Sequence, residues 1–246
     1  MTQLLDLVLK AHGGKERWSK LTTADAVTRF GGPAWSMRQV PDVALSREVT
    51  VDFTTQRAVF HDYTGAGLRG IYTPDHVSIV DEDGRTVRER HNPVASFQGL
   101  TAQSPWDMLH ALYFIGYATW NYLTAPQLLT LPGVQVEELV REQPALDPQP
   151  GLSATWQRLG VTFPDNLTVH NKNQIFYYDE NGLQRRMDYA PRVTGGIPAV
   201  HMVDGHQEFS GLVFPTRRRV YIPNPEGQGL LPEPFITVEY ADIRVE

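Results

Sequence analysis

The chain reads as an α+β protein: a large curved antiparallel sheet, a half-barrel in outline, wrapped around a long buried aromatic-rich helix and preceded by an N-terminal helical segment. Three observations predict the α+β class. The run from Pro105 to Leu123 is apolar or aromatic all around a helical wheel, so no broad face is left for water. Most of the remaining chain alternates apolar and polar residues in short stretches separated by turn signals, which is strand texture. Strands and helices do not alternate along the chain, which excludes a doubly wound parallel sheet. A sheet of about ten or eleven strands rarely stays flat and open, so it is expected to curl around the helix.

The helix has start and stop signals. Ser104 suits the N-cap, Pro105 the first helical position and Asp107 the positive end, while Pro126 marks where the helix has ended. At 3.6 residues per turn, Trp106, His110, Tyr113, Tyr117 and Trp120 form one stripe with Asn121 beside it; Met108, Leu112, Ile115 and Thr119 form another. Asp107, His110 and Asn121 interrupt the apolar run, so a membrane span of about 20 residues is not expected. Rings with single polar handles suit a packed core, and equally the wall of a pocket for an apolar molecule.

The other elements follow in order. Leu4, Leu5, Val8, Leu9 and Trp18 lie at helical spacing, with a break at Gly13-Gly14. Segments 26–30, 35–40, 44–53 and 57–63 read as strands. Segments 76–80 and 86–90 flank Asp83-Gly84 as a hairpin. After the central helix come strands over 134–140 and 154–163, separated by a Pro-rich loop over 144–150. Segment 174–189 reads as a hairpin folded at Asn181-Gly182, pairing Tyr178 with Arg185, Tyr177 with Arg186 and Phe176 with Met187. Tyr177, Arg186 and Asp188 then share a face. A hairpin at Asp204-Gly205 places His201 opposite Glu208, and segments 213–222 and 235–245 supply the last strands.

Composition narrows the function classes. At 246 residues with no linker, one domain over 1–246 is expected. A net charge of -6 argues against nucleic acid as a partner. There are no cysteines, which excludes disulfides, thiolate metal sites and cysteine nucleophiles. The first ten residues lack a basic cluster ahead of an apolar run, so a cytoplasmic location is expected. The sequon Asn166-Leu167-Thr168 is assigned no role on that basis.

Gly65-Ala66-Gly67-Leu68-Arg69-Gly70 spells the dinucleotide fingerprint, but Ile71-Tyr72-Thr73-Pro74 follows where a helix N-terminus is needed, so it reads as a loop. His201, His206 and Glu208 are weighed as a two-histidine, one-carboxylate metal set; their place beside a tight turn favours a metal-free hairpin, and neither metal nor organic cofactor is expected. No Gly-x-Ser-x-Gly elbow is present. His110, His170 and His201 are the acid/base candidates, with Arg186 and Asp188 as charged partners. Alternation in Arg217-Arg218-Arg219 turns Arg218 to the side of Phe214 and Val220, inward toward an anionic group.

The element order and Phe209-Ser210-Gly211-Leu212-Val213-Phe214-Pro215-Thr216-Arg217 resemble the LolA/LolB-like lipoprotein-carrier superfamily. More closely, Ala11-His12-Gly13-Gly14 with Arg17-Trp18, Gly31-Gly32 with Trp35, and Tyr178-Asp179, Gly182-Leu183, Arg185-Arg186 and Asp188-Tyr189 are similar to an uncharacterised bacterial family with that outline. The resemblance implies an incomplete barrel over helices with an apolar cavity between them that accepts acyl chains. The chain departs from it in lacking the export signal of the periplasmic carrier and the lipid-anchored cysteine of its receptor, so the cavity carries over and the cargo does not.

The expected function is binding of an apolar or aromatic small molecule in a half-barrel cavity lined by the 105–123 helix, with Trp35, Trp106, Tyr113, Tyr117, Trp120, Asn121, Tyr177, Tyr189 and Arg218 as ligand contacts. The alternative is a metal- and cofactor-independent isomerase, lyase or hydrolase using a histidine in the same cavity. Convergence of two histidines with Arg186, Asp188 or Tyr189 on one cavity distinguishes the second from the first.

Overall fold

The computed structural model describes residues 2–148 and 153–246. One wing of the sheet holds β1 (Thr23–Gly31), β2 (Arg47–Asp52), β3 (Arg57–Phe60), β4 (Arg69–Tyr72), β5 (His76–Val80) and β6 (Thr86–His91). The other holds β7 (Gln135–Leu139), β8 (Gln157–Thr162), β9 (Asn173–Tyr178), β10 (Gln184–Tyr189), β11 (Ala199–Phe209), β12 (Leu212–Tyr221) and β13 (Ile236–Val245). Among the described residues these form one 13-stranded antiparallel sheet, ordered β6-β5-β4-β3-β2-β1-β13-β12-β11-β10-β9-β8-β7. Pairing of β1 with β13 joins the wings, and the sheet is not closed, since β6 and β7 are its two edges.

After α1 (Gln3–Ala11), α2 (Lys15–Trp18) and α3 (Ala34–Met37), the long helix α4 (Met108–Thr124) is the connection between those edges, so the chain crosses the concave face to pass from one to the other. It is buried on every side from Leu109 to Thr124 apart from His110, as its all-round apolar wheel requires. No helix of the described residues is long and apolar enough to cross a membrane. The helix packs directly on β2, β3, β4 and β5. Gly116 makes this approach possible: a Cβ there would lie 2.3 Å from Cγ of Tyr72. Toward β9, β10 and β12 the helix faces the long polar side chains of Gln174, Gln184 and Arg218 among apolar Phe176 and Met187, and that asymmetry positions the site.

Several local expectations are corrected. Helix α4 starts at Met108 with Asp107 as N-cap, rather than at Pro105 with Ser104. Asp107 Oδ1 accepts from the His110 backbone N–H at 2.8 Å, and the His110 ring Nδ1 accepts from the Asp107 N–H at 3.2 Å. Arg90 donates to both Asp107 oxygens from the neighbouring wing, which fixes the start at a residue that side chains from two directions satisfy. Segment 35–40 is not a strand. Ala34–Met37 forms a helical turn and Pro41–Ala44 a 3-10 turn, because Pro33 and Pro41 fix backbone φ and remove ladder donors. Strand β4 begins at Arg69 and Gly70, which read as loop, and runs on through Ile71 and Tyr72, and β11 runs unbroken through Asp204-Gly205. Its turn is at Ser210-Gly211, and Glu208 faces Val213 instead of His201.

The hairpin at Asn181-Gly182 is real, but only Gly182 has positive φ. The Asp179 N–H donates to Leu183 O, and the turn inserts a bulge that places Gln184, not Arg185, opposite Tyr178. The Tyr177–Arg186 and Phe176–Met187 pairs are as the sequence predicts. The N-terminal segment is a helix over Gln3–Ala11, capped by Thr2 and burying Leu4, Leu5, Val8 and Leu9. The end of the Pro-rich loop, 149–150, lies outside the described residues.

Candidate functional site

The aromatic stripe on α4 packs against protein. Trp106 stands edge-on to Phe97 and lies under the Arg38 guanidinium, 4.6 Å from its ring centre. Tyr113 contacts Tyr72, Phe97 and Tyr117. Trp120 donates its indole N–H to the carbonyls of Asp52 and Thr55, each at 2.7 Å. Trp35 packs between Phe30 and Phe114 and donates to Gly31 O. These four residues, expected as ligand contacts, pack against the protein's own side chains and backbone. Core rings and pocket rings obey the same periodicity, so the pattern alone does not separate them.

His110 is spent on the helix cap described above, with its other ring nitrogen 3.2 Å from Ser96 O. Arg186, Asp188 and Tyr177 share a face, as expected, but it is the outer one. Arg186 forms a two-pronged pair with Asp188 at 2.6 and 2.8 Å, Tyr177 donates to the same carboxylate at 2.9 Å, and Arg186 reaches Leu146 O at 2.7 Å. The group pins the 141–147 loop to the outside of the sheet, over a small cluster of Trp156, Tyr177, Val200 and Met202. None of the three meets the inward histidines.

His170 and His201 do converge, with Tyr189. Tyr117 Oη lies 3.2 Å from His170 Nδ1 and Tyr122 Oη 2.9 Å from His170 Nε2. Tyr189 stacks on the His170 ring at 3.9 Å, and its hydroxyl reaches Tyr122 at 3.5 Å and His201 Nδ1 at 3.1 Å. Burial, assisted by the nearby Arg218 charge, lowers His170 to about 3 and moves His201 well below its usual range. Burial likewise raises Tyr117, Tyr122 and Tyr189 above the ordinary phenol range. Every member is therefore neutral near pH 7, and both His170 nitrogens are occupied.

Beside this network lies Arg218, fully inward on β12 as alternation requires, and 2% exposed. Its guanidinium carbon is 4.4 Å from the Tyr122 ring centre, and one nitrogen donates to Tyr122 O at 3.4 Å. Its Nε and Nη1 have no hydrogen-bond partner, and no carboxylate pairs with it among the described residues. Asn121 Oδ1, Gln184 Nε2 and His201 Nε2 are also buried and unpartnered. A cavity of about 10 Å³ opens here, with Asn121, Gln174, Gln184 and Arg218 as its polar lining and Leu128, Phe163, Val169, Phe176 and Met187 among its apolar lining. Asn121 and Arg218 were read from the sequence as ligand contacts. Tyr122, Gln174 and Gln184 were not, although period-2 alternation on β9 and β10 places Gln174 beside the inward Phe176, and Tyr122 follows Asn121 directly.

The triad His201, His206 and Glu208 does not come together: the group of three potential metal ligands among the described residues is His76, Glu89 and His91, at the sheet edge.

No protein-family model matches the chain, and no curated protein sequence does. Among solved structures, the chain is similar over 99% of its length to a DUF1329 family protein from Desulfovibrio piger, at 11% identity, 92% of that chain and a TM-score of 0.47. It is similar over the same share to a LolA superfamily protein from Nitrosomonas europaea, at 10% identity, 92% of that chain and a TM-score of 0.47.

Proposed function

We propose that the protein binds an apolar or aromatic small molecule bearing one anionic group, between the C-terminal end of α4 and the inner face of β9, β10 and β12. The anion meets Arg218. The observation that carries this reading is the buried guanidinium with two unpartnered nitrogens and no carboxylate partner among the described residues. An arginine stays charged even when buried, and an ion taken out of water without a partner costs several kcal/mol. An anionic group in the adjoining cavity offsets that cost, with Gln184 Nε2 as a further donor of hydrogen bonds.

The apolar part of the ligand has Leu128, Phe163, Val169, Phe176 and Met187 as its wall. As it stands the cavity of about 10 Å³ has room for one water, so a larger molecule enters by parting α4 from the wing carrying β9, β10 and β12. That contact includes Asn121, Gln184 and Arg218, whose hydrogen bonds are partly unmet, among apolar side chains, whereas the contact with β2 to β5 is close-packed around Gly116. Parting there supplies partners to groups that lack them.

The catalytic alternative has less support. His170 is saturated by two tyrosines, burial holds His170 and His201 neutral, and the charged pair Arg186 and Asp188 faces the other way. A base needs to reach the proton it abstracts, and the cavity lining does not include either histidine.

The test is calorimetric titration with decanoate and with decanol, which share an apolar chain and differ in charge. Decanoate is expected to bind one per chain and decanol at least about tenfold more weakly, a difference on the order of 1.4 kcal/mol. Arg218→Met is expected to remove the preference. Absence of decanoate binding, or an unchanged preference in Arg218→Met, overturns the reading.

A further inference from the structure

We propose a zinc site on the edge hairpin of β5 and β6, formed by His76, Glu89 and His91, independent of the Arg218 cavity. Strand register makes His76 and His91 direct cross-strand partners, and Glu89 lies two residues before His91, on the same side of β6. The two imidazoles stack with centroids 4.4 Å apart and planes inclined by 19°. His76 Nε2 is 2.9 Å and His91 Nε2 3.7 Å from the same oxygen, Oε2 of Glu89. All three donor atoms lie within 4.8 Å of one another.

These separations suit a tetrahedral ion. Zinc–nitrogen and zinc–oxygen bonds of about 2.0 Å at a tetrahedral angle set ligand atoms about 3.3 Å apart. The two measured spacings to Glu89 bracket that value, so small side-chain rotations complete the set without backbone movement. Two imidazoles and one carboxylate suit zinc and related transition ions over calcium or magnesium, which take oxygen ligands. Three protein ligands leave a fourth position for water.

The surroundings favour access. β6 is a terminal strand of the sheet, and Glu89 and His91 are exposed. Arg90, between them in sequence, is turned away and paired with Asp107, so no cation from that residue competes for the carboxylate. The exposed position also means that removing a ligand leaves the core untouched.

Titration of the full chain with zinc chloride at neutral pH, followed by calorimetry, tests the site. The expected result is one zinc per chain, at least about tenfold weaker in His91→Ala and in Glu89→Gln, each a factor of about 1.4 kcal/mol, with no heat from calcium chloride. Nuclear magnetic resonance of the imidazole ring protons is expected to show zinc shifting the signals of His76 and His91 ahead of the other histidines. No uptake of zinc, uptake unchanged in His91→Ala, or first shifts at other histidines overturns the proposal.

Discussion

The guanidinium of Arg218 lies 4.4 Å from the centre of the Tyr122 ring and donates to the carbonyl of that same residue. Tyr122 thus offers a π face and one acceptor to a charge that has no carboxylate among the described residues. A cation over an aromatic face gains on the order of 2 kcal/mol when desolvated, less than the several kcal/mol that an unpaired buried ion costs. Arg218→Met, which keeps an unbranched side chain and removes the charge, is therefore expected to stabilise the ligand-free protein by roughly 1–4 kcal/mol, read from the denaturant midpoint. A loss of stability would instead give Arg218 a structural role that its partners do not show.

The histidines predict how stability depends on acid. Burial holds His170 at about 3 and His206 at about 4, and lowers His12 and His201 as well. In the unfolded chain each returns to the ordinary imidazole value near 6.5. Above that value both states are neutral and stability is fully present. As pH falls below it the unfolded state takes up protons that the folded state refuses, and stability is lost at up to about 1.4 kcal/mol per histidine per pH unit. Urea midpoints are expected to fall steeply from about pH 6.5 toward about pH 5, above the range in which most carboxylates protonate. His170→Gln is expected to make that decline shallower, and an unchanged slope would show His170 is not part of it.

How much of this was legible in the chain follows from what each pattern measures. Alternation reports which side a strand residue takes, so the inward turn of Arg218 and the shared face of Tyr177, Arg186 and Asp188 were readable. It does not report which side of the sheet faces the helix, so the outer position of that trio was not. Periodicity gave α4 its burial but not the choice between core and pocket for Trp106, Tyr113, Tyr117 and Trp120, because both need the same rings. Asp204-Gly205 carries a turn's sequence signal, and Gly205 does have the positive φ of one, yet β11 continues past it. The His76–His91 pairing was one residue from view: the hairpin at Asp83-Gly84 was read to Arg90, and its ladder extends to His91.

Asp107 caps α4 and ties it to β6, and its replacement separates the two contributions. Although partial burial opposes ionisation, hydrogen bonds from His110 and Arg90 hold its carboxyl well below the usual range. Asp107→Asn keeps an oxygen for the His110 N–H and loses the ion pair with Arg90, whereas Asp107→Ala loses both. With Asp107 half exposed, the pair is worth little beyond about 1 kcal/mol, and the cap roughly 0.5–2 kcal/mol. Thermal melts are expected to rank wild type above Asp107→Asn and Asp107→Asn above Asp107→Ala. Equal melting of the two variants would move the N-cap elsewhere, and Ser104 is the residue that the sequence pattern would then favour.

Gly116 provides the sharpest contrast between local preference and packing. In a helix interior, alanine is favoured over glycine by roughly 1 kcal/mol, so Gly116→Ala in an isolated helix gains stability. In this fold the added Cβ would lie 2.3 Å from Tyr72 Cγ and 2.5 Å from Tyr72 Cβ, atoms near the backbone of β4 that a rotamer change does not clear. Overpacking of this kind costs typically about 1–3 kcal/mol, enough to reverse the sign. Gly116→Ala is expected to lower the denaturant midpoint, and Gly116→Ala combined with Tyr72→Ala to couple favourably in a double-mutant cycle. A stabilised single variant would mean that α4 stands farther from β4 than the close approach of Gly116 to Tyr72 requires, and with it would go the asymmetry that assigns ligand entry to the opposite wing.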